Sequence, residues 1–206
     1  MTSRVIDVQV PGVVVLIGAA GAGKSTLAAA AFAPDEIVSS DELRAAVRGD
    51  PADQSVSRVA FGILHRELVR RLAAGRLAVV DATNLTASAR AAILRRAAIA
   101  QAPVVALVLL PAAQTAQDRN ARRPGRAVPA DVVDRQLAAA ATLGGDEATA
   151  IAGLLAEGFA AVHVWIGPAA ERVEIEVRRH PRTRAASGPT DAASAAGTPR
   201  DLTPSG

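Results

Sequence analysis

Apolar residues gather into compact runs, Val13–Ile17, Ile37–Val38, Leu77–Val80, Val104–Leu110 and Ala160–Ile166, separated by Ala-, Leu- and Arg-rich segments of helical period. The longer of these are apolar at consecutive rather than alternate positions, the pattern of a strand covered on both faces. Strand alternating with helix predicts an α/β chain with a parallel sheet between helical layers. Arg58–Ala73, Thr86–Gln101 and Asp131–Leu143 read as the clearest helices. In the second, Thr86 is placed to cap the N-terminus, Ala89, Ile93 and Ala97 share a buried face, and Arg90, Arg95 and Arg96 fall mostly outside it. After Pro168 the period shortens: Val173, Ile175 and Val177 alternate with charged residues, predicting a last, half-exposed edge strand. Pro181–Gly206 is rich in Pro, Ala, Ser, Thr and Gly without any period, the composition of a solvated, disordered tail. The expected organisation is one domain over 1–180 and a tail over 181–206, with no internal repeat.

Composition narrows the classes. A chain of 206 residues is long enough for one full core. Hydrophobic residues make up 50% but aromatics only 2%, so Ala, Val and Leu must fill that core. With no cysteine there is neither a disulfide framework nor thiol chemistry. The first apolar run is short and leads straight into a glycine-rich stretch, so neither a secretory signal nor a membrane span is expected. A soluble, cytoplasmic protein with no membrane partner is the reading. The formal charge of +3 is too mild to argue a nucleic-acid partner alone. Three Phe, one Trp and no Tyr do not suffice for a single-strand stacking platform. A nucleic acid, if bound, is expected to be gripped by its phosphates at an end or short segment.

Of 23 basic residues one is a lysine: Lys24, inside Gly18-Ala19-Ala20-Gly21-Ala22-Gly23-Lys24-Ser25. A chain that uses arginine everywhere else and keeps one compact ammonium in a glycine-rich loop points to chemistry at that position. The spacing fits G-x-x-x-x-G-K-[ST], the P-loop, in which backbone N–H groups cradle the α- and β-phosphates, the Lys reaches the β/γ-phosphates and the Ser hydroxyl holds Mg²⁺. An apolar run before it and a helix opening at Ser25-Thr26 supply the strand–loop–helix context the motif requires. Gly18, Gly21, Ala22, Gly23, Lys24, Ser25 and Thr26 are therefore the expected ATP-binding residues.

Two further strand ends carry chemistry. Ser39-Ser40-Asp41-Glu42-Leu43-Arg44 follows Glu36-Ile37-Val38, where the second strand gives way to a helix. Ligands gather outside the carboxyl ends of strands in open α/β sheets, so Asp41 is expected to face the γ-phosphate and take the proton of an attacking hydroxyl. Arg44, one helical turn on, is expected to clamp an acceptor phosphate. The structural alternative makes Asp41 a helix cap and Arg44 a surface charge. Val79-Val80-Asp81-Ala82-Thr83-Asn84 closes the next strand; Asp81 is expected to orient Mg²⁺ through its water shell, and Thr83 and Asn84 to bond substrate phosphate or simply to form the turn before Thr86. Arg119, Arg122, Arg123 and Arg126 crowd Asp118–Val128 around Pro124-Gly125, as in a mobile Arg-rich lid that neutralises charge on a transferred phosphoryl group. Arg122 is the weakest member by helical spacing. His65, His163 and His180 have no metal-ligand spacing.

Taken together, the motifs resemble the 5′-kinase domain of bacterial polynucleotide kinase-phosphatase. The likeness runs through Val15-Leu16-Ile17-Gly18, Gly23-Lys24-Ser25-Thr26, Val38-Ser39-Ser40-Asp41, Asp53-Gln54, Leu64-His65, Val79–Asn84, Ala89-Arg90, Arg119-Asn120 with Arg123 and Arg126, and Glu157-Gly158-Phe159, covering roughly Val10 to Val177. The resemblance implies a three-layer P-loop NTPase/kinase fold. It also implies ATP and Mg²⁺ at Lys24 and Ser25, Asp41 as general base for a 5′-hydroxyl, Arg44 on the acceptor's phosphate, and Arg119 and Arg123 on the ATP phosphates, with Arg126 in the lid. Members that repair RNA continue into phosphatase and ligase domains. This chain has no metal-binding His/Asp clusters of the phosphatase kind, so it is expected either to work with separate phosphatase and ligase proteins or to serve another acceptor. The competing expectations are a small-molecule kinase for a nucleoside, sugar or antibiotic alcohol, and a non-catalytic ATP-binding module.

Overall fold

The computed structural model describes residues 4–47, 54–123 and 127–182. Its centre is a parallel sheet built from β2 (Gly12–Ile17), β3 (Ile37–Ser39), β4 (Leu77–Asp81), β5 (Val104–Leu110) and β6 (Ala161–Ile166), in the order β3-β4-β2-β5-β6. β2, β4 and β5 are buried at nearly every position, which is why they read as continuous apolar runs. Alternate residues feed two separate cores. Val13, Val15 and Ile17 of β2, with Ala78 and Val80 of β4 and Val104, Ala106 and Val108 of β5, face one side. Val14, Leu16, Leu77, Val79, Val105, Leu107 and Leu109 face the other.

Helices cover the first side: α3 (Gln54–Ala73) through Leu64, Leu68 and Leu72, α4 (Ala87–Ile99) through Ile93 and Ala97, α6 (Ala130–Ala141) through Ala140, and α7 (Glu147–Glu157) through Ala150 and Leu154. Thr86 caps α4 as expected, its hydroxyl accepting the Ala89 N–H at 3.3 Å. The second side is covered differently. Here α1 (Lys24–Ala31) contributes Leu27 and Ala28, and a second, two-stranded sheet of β1 (Arg4–Val10) and β7 (Ile175–Pro181) contributes Ile6 and Val8, with Ile175 and Val177 packed against them. The remaining helices are α2 (Ser40–Ala46) and α5 (Ala113–Ala121).

Three expectations change. β7 is the half-exposed last strand with an open edge, but it belongs to the second sheet and not the central one: it pairs in parallel with β1 from Arg4↔Ile175 to Val10↔Pro181. Pro181 therefore closes a strand rather than opening a tail, and the Arg182 N–H donates to the Val10 carbonyl at 3.0 Å; residues 183–206 lie outside the described residues. Arg90 is not on the outer face of α4 but 4% exposed. The helix turns it inward because its guanidinium finds a full set of partners: Glu157 across the α4–α7 interface at 2.7 and 2.5 Å, and the Asn84 and Leu85 carbonyls at 3.1 and 2.7 Å. Bidentate pairing with a carboxylate offsets desolvation that would otherwise forbid the position.

Candidate active site

Strand register assembles the site. Parallel pairing sets Leu16 against Asp81 and Ser39 against Asp81, so the chain leaves β2, β4 and β3 side by side at one edge of the sheet. The glycine-rich loop, Asp81 and Asp41 thus converge from segments far apart in sequence. They line a cleft of about 540 Å³ together with Ser25, Arg44, Phe61, Thr83, Arg119, Arg123, Val128 and Gln136.

The loop itself is shaped by glycine where nothing else fits. Gly21 has φ 79°, and a side chain there would meet the Ala116 carbonyl oxygen of α5 at 2.0 Å. Gly23, at φ 98°, is the N-cap of α1 and offers no capping side chain. The first backbone N–H groups of α1 are therefore free to bind an anion, in the field of the helix dipole. Lys24 is 8% exposed, and its Nζ donates to the Ala19 carbonyl at 2.8 Å, arching over the loop. Burial pushes its pKa down to about 8, against the opposing charges of Asp81 and Asp41.

Ser25 Oγ donates to Asp81 Oδ2 at 2.7 Å. Burial raises the Asp81 pKa, and the Ser25 hydrogen bond and the Lys24 charge oppose that rise. One hydroxyl and one carboxylate are hard oxygen donors of the kind Mg²⁺ takes when substrate phosphates and water complete its shell. Among the described residues no group of three or more His, Cys, Asp or Glu could hold a metal by itself.

The cap role open to Asp41 falls to Ser39, whose hydroxyl accepts the Glu42 N–H at 3.4 Å. Asp41 is left free to face the cleft. Its Oδ1 accepts from Arg44, and its Oδ2 lies 3.5 Å from Arg123 Nη2. Arg119 lines the cleft and donates Nη2 to the Glu171 carbonyl at 2.8 Å, with its Nη1 on the side of Gly23. Arg119 also borders a neighbouring groove of about 410 Å³ formed by Thr26, Leu27, Ala30 and the loop Ala170–Glu174. Arg122 is exposed and does not line the cleft, in keeping with its spacing. Arg126 lies outside the described residues.

Thr83 and Asn84 separate. Thr83 lines the cleft and its carbonyl accepts the Gly18 N–H at 3.0 Å. Asn84 does not line the cleft: it is 3% exposed, sits at φ 49°, and donates Nδ2 to the Leu16 carbonyl at 2.8 Å, bracing the turn against β2, while it borders the adjoining cavity. Two amides were not singled out as site residues by the sequence. Asn120 clamps Val128 from both sides, Nδ2 to the carbonyl at 2.8 Å and Oδ1 from the N–H at 3.1 Å, closing the base of the arginine-bearing loop. Gln136 Oε1 accepts the Ala20 N–H at 2.8 Å, fastening α6 to the phosphate loop. A neutral amide in an Ala-rich helix carries no sequence signal that distinguishes it from surface.

The fold and the glycine-rich loop define a P-loop α/β protein. Residues 13–143 match the AAA domain family, and the chain belongs to it. No curated protein sequence matches the chain. Among solved structures, a sugar kinase from Janibacter sp. HTCC2649 is 21% identical, with 78% of this chain and 86% of that one covered at a TM-score of 0.51. A protein of Chloroflexus aurantiacus j-10-fl aligns over 81% and 93% at 14% identity and TM-score 0.55. Kti12 of Chaetomium thermophilum, determined with ADP-AlF3, aligns over 75% and 88% at 15% identity and TM-score 0.52. At these identities the likeness is one of fold, the three-layer arrangement with a central parallel sheet. No helix among the described residues is long and apolar enough to cross a membrane.

Proposed function

We propose that the chain is an ATP- and Mg²⁺-dependent phosphotransferase acting on an alcohol. The observation that carries the reading is a carboxylate, Asp41, on the wall of the same cleft as the P-loop lysine, with an arginine on each of its oxygens. Asp41 accepts the hydroxyl proton as the acceptor oxygen bonds to the γ-phosphorus; the bond from that phosphorus to the β–γ bridging oxygen breaks and ADP leaves. Lys24 and Arg123 balance the charge on the phosphoryl group in flight. Arriving phosphates compete with Asp41 for Arg123 and Arg44, which frees the base as the substrates bind. Ser25, with Asp81 through water, would hold Mg²⁺, whose charge screens the β- and γ-phosphates. Arg119, between the cleft and the groove at Thr26 and Ala170–Glu174, suits a nucleotide whose base leaves the cleft in that direction.

For the acceptor, the motif likeness and the placement of Arg44 beside Asp41 support a 5′-hydroxyl polynucleotide end that already carries a phosphate on its 3′ side. A small-molecule alcohol is the second reading, favoured by the mild net charge of +3 and by Phe61 being the one aromatic residue lining the cleft. Labelled ATP offered with a 5′-OH oligonucleotide, then with a panel of small alcohols, separates the two; ATP hydrolysis with label on neither marks a nucleotide-binding module. Asp41→Ala is expected to abolish transfer with ATP still bound, and transfer at the wild-type rate by that variant overturns the base assignment. Arg44→Ala is expected to raise KM about tenfold for a phosphate-bearing acceptor and to change it little for a neutral one.

A further inference from the structure

Gln136 touches both halves of the proposed reaction. It projects from α6, lines the phosphate cleft, and also lines a second cavity of about 350 Å³ that adjoins the cleft at Phe61 and Thr83 and continues between α4 and α6 past Leu85 and Arg135. Its orientation is fixed by chemistry. The Ala20 N–H is a donor only, so the Gln136 atom 2.8 Å from it must be the amide oxygen. The NH₂ group then points elsewhere, and it has no hydrogen-bond partner among the described residues. α6 itself is held: Gln117 Nε2 of α5 donates to Asp134 Oδ1 at 2.7 Å, and Asn120 pins Val128 just before the helix. The amide is thus tied to a phosphate-loop N–H at a position that borders both the cleft and the second cavity.

We propose that Gln136 is a positioning residue: its oxygen holds the phosphate loop through Ala20 while its NH₂ donates to an oxygen of the acceptor lying in the adjoining cavity. The one side chain sets the register between donor phosphate and attacking hydroxyl. The inference rests on the phosphotransferase reading, and adds to it that the acceptor approaches from between α4 and α6. An amide recognises a hydroxyl or carbonyl oxygen, so the acceptor there is polar but need not be charged.

Two variants test this, with transfer to whichever of the 5′-OH oligonucleotide or the small alcohols the wild type phosphorylates. Gln136→Leu removes donor and acceptor together and is expected to raise acceptor KM or lower kcat by about tenfold in total, with the dissociation constant for ATP alone moving less. Gln136→Glu keeps an oxygen for the Ala20 N–H at any pH but presents a donor only when protonated. Its activity relative to wild type is therefore expected to fall as pH rises from 5 to 8. A relative activity that is flat with pH, whether near wild type or uniformly low, leaves at most a staple to the loop and overturns the acceptor contact. Failure of the wild type to label any alcohol overturns the phosphotransferase reading and this inference with it, whereas full activity of both variants overturns this inference alone.

Discussion

Lys24 and Arg90 are both buried cations, 8% and 4% exposed, and the fold treats them in opposite ways. Arg90 is matched donor by donor: a carboxylate takes two of its nitrogens and two backbone carbonyls share a third. Among the described residues Lys24 donates to a single carbonyl, and Asp81, the carboxylate whose charge supports its ammonium most, is itself engaged by Ser25. Burial consequently wins at Lys24 and drags its pKa to about 8. A cation the protein has fully satisfied is part of the frame. One it has desolvated without full compensation is prepared for charge that arrives from outside, here phosphate.

Substitution at the two sites should separate activity from stability. Lys24→Arg keeps the charge but replaces a compact ammonium with a planar fork too wide to arch over the loop to Ala19. The expected result is a loss of phosphoryl transfer of about 10²- to 10³-fold, the scale for removing one preorganised charge contact, with thermal midpoint nearly unchanged. Near-normal transfer by this variant would show that any cation suffices in the loop.

Arg90→Met should do the reverse. It leaves Glu157 at the α4–α7 interface without its partner, and Glu157 is 29% exposed and partly rehydrated. The cost is expected near the lower end for a broken buried pair, about 3 kcal/mol. Urea unfolding should read that loss, while ATP affinity per folded molecule stays within about twofold. A stable variant with damaged ATP binding would make Arg90 a site residue after all.

This contrast also marks what could be read from the chain. Strands β2, β4 and β5 were legible because covering both faces of a sheet demands apolar residues without interruption. β1 was missed although Ile6 and Val8 alternate with Asp7 and Gln9, because its partner β7 lies at the other end of the chain and no local pattern announces that pairing. Lys24, Ser25, Asp41 and Asp81 stood out because few residue types serve phosphate chemistry at strand ends. Arg90 was set on the surface and Asn84 in the site for one reason: residue type states what a side chain prefers, whereas Glu157 and the Leu16 carbonyl, supplied from elsewhere in the fold, decide where it goes. Gln136 shows the converse, a neutral side chain made important by where α6 ends up.

The smallest effect falls on the proton that Lys24 carries. If Lys24 is held near pKa 8 by burial, and phosphate binds the ammonium form, then nucleotide binding must restore a proton that the free protein loses above that pH. Below about pH 8 this group leaves ATP affinity unchanged; above it the dissociation constant should rise by about tenfold per pH unit. Stability carries the opposite sign. The folded pKa lies below the ordinary 10.5, so the cost of burying the ammonium is present in full below pH 8 and is relieved as pH rises toward 10.5. ATP titrations between pH 7 and 9.5, paired with denaturation of the nucleotide-free protein from pH 7 to 10.5, should therefore show affinity falling while this contribution to stability grows. Lys24→Arg, charged throughout, should show neither inflection. A wild-type affinity that is flat through pH 8 would mean that the loop carbonyl and the two aspartates compensate Lys24 as fully as Glu157 compensates Arg90, and the distinction between the two cations would collapse.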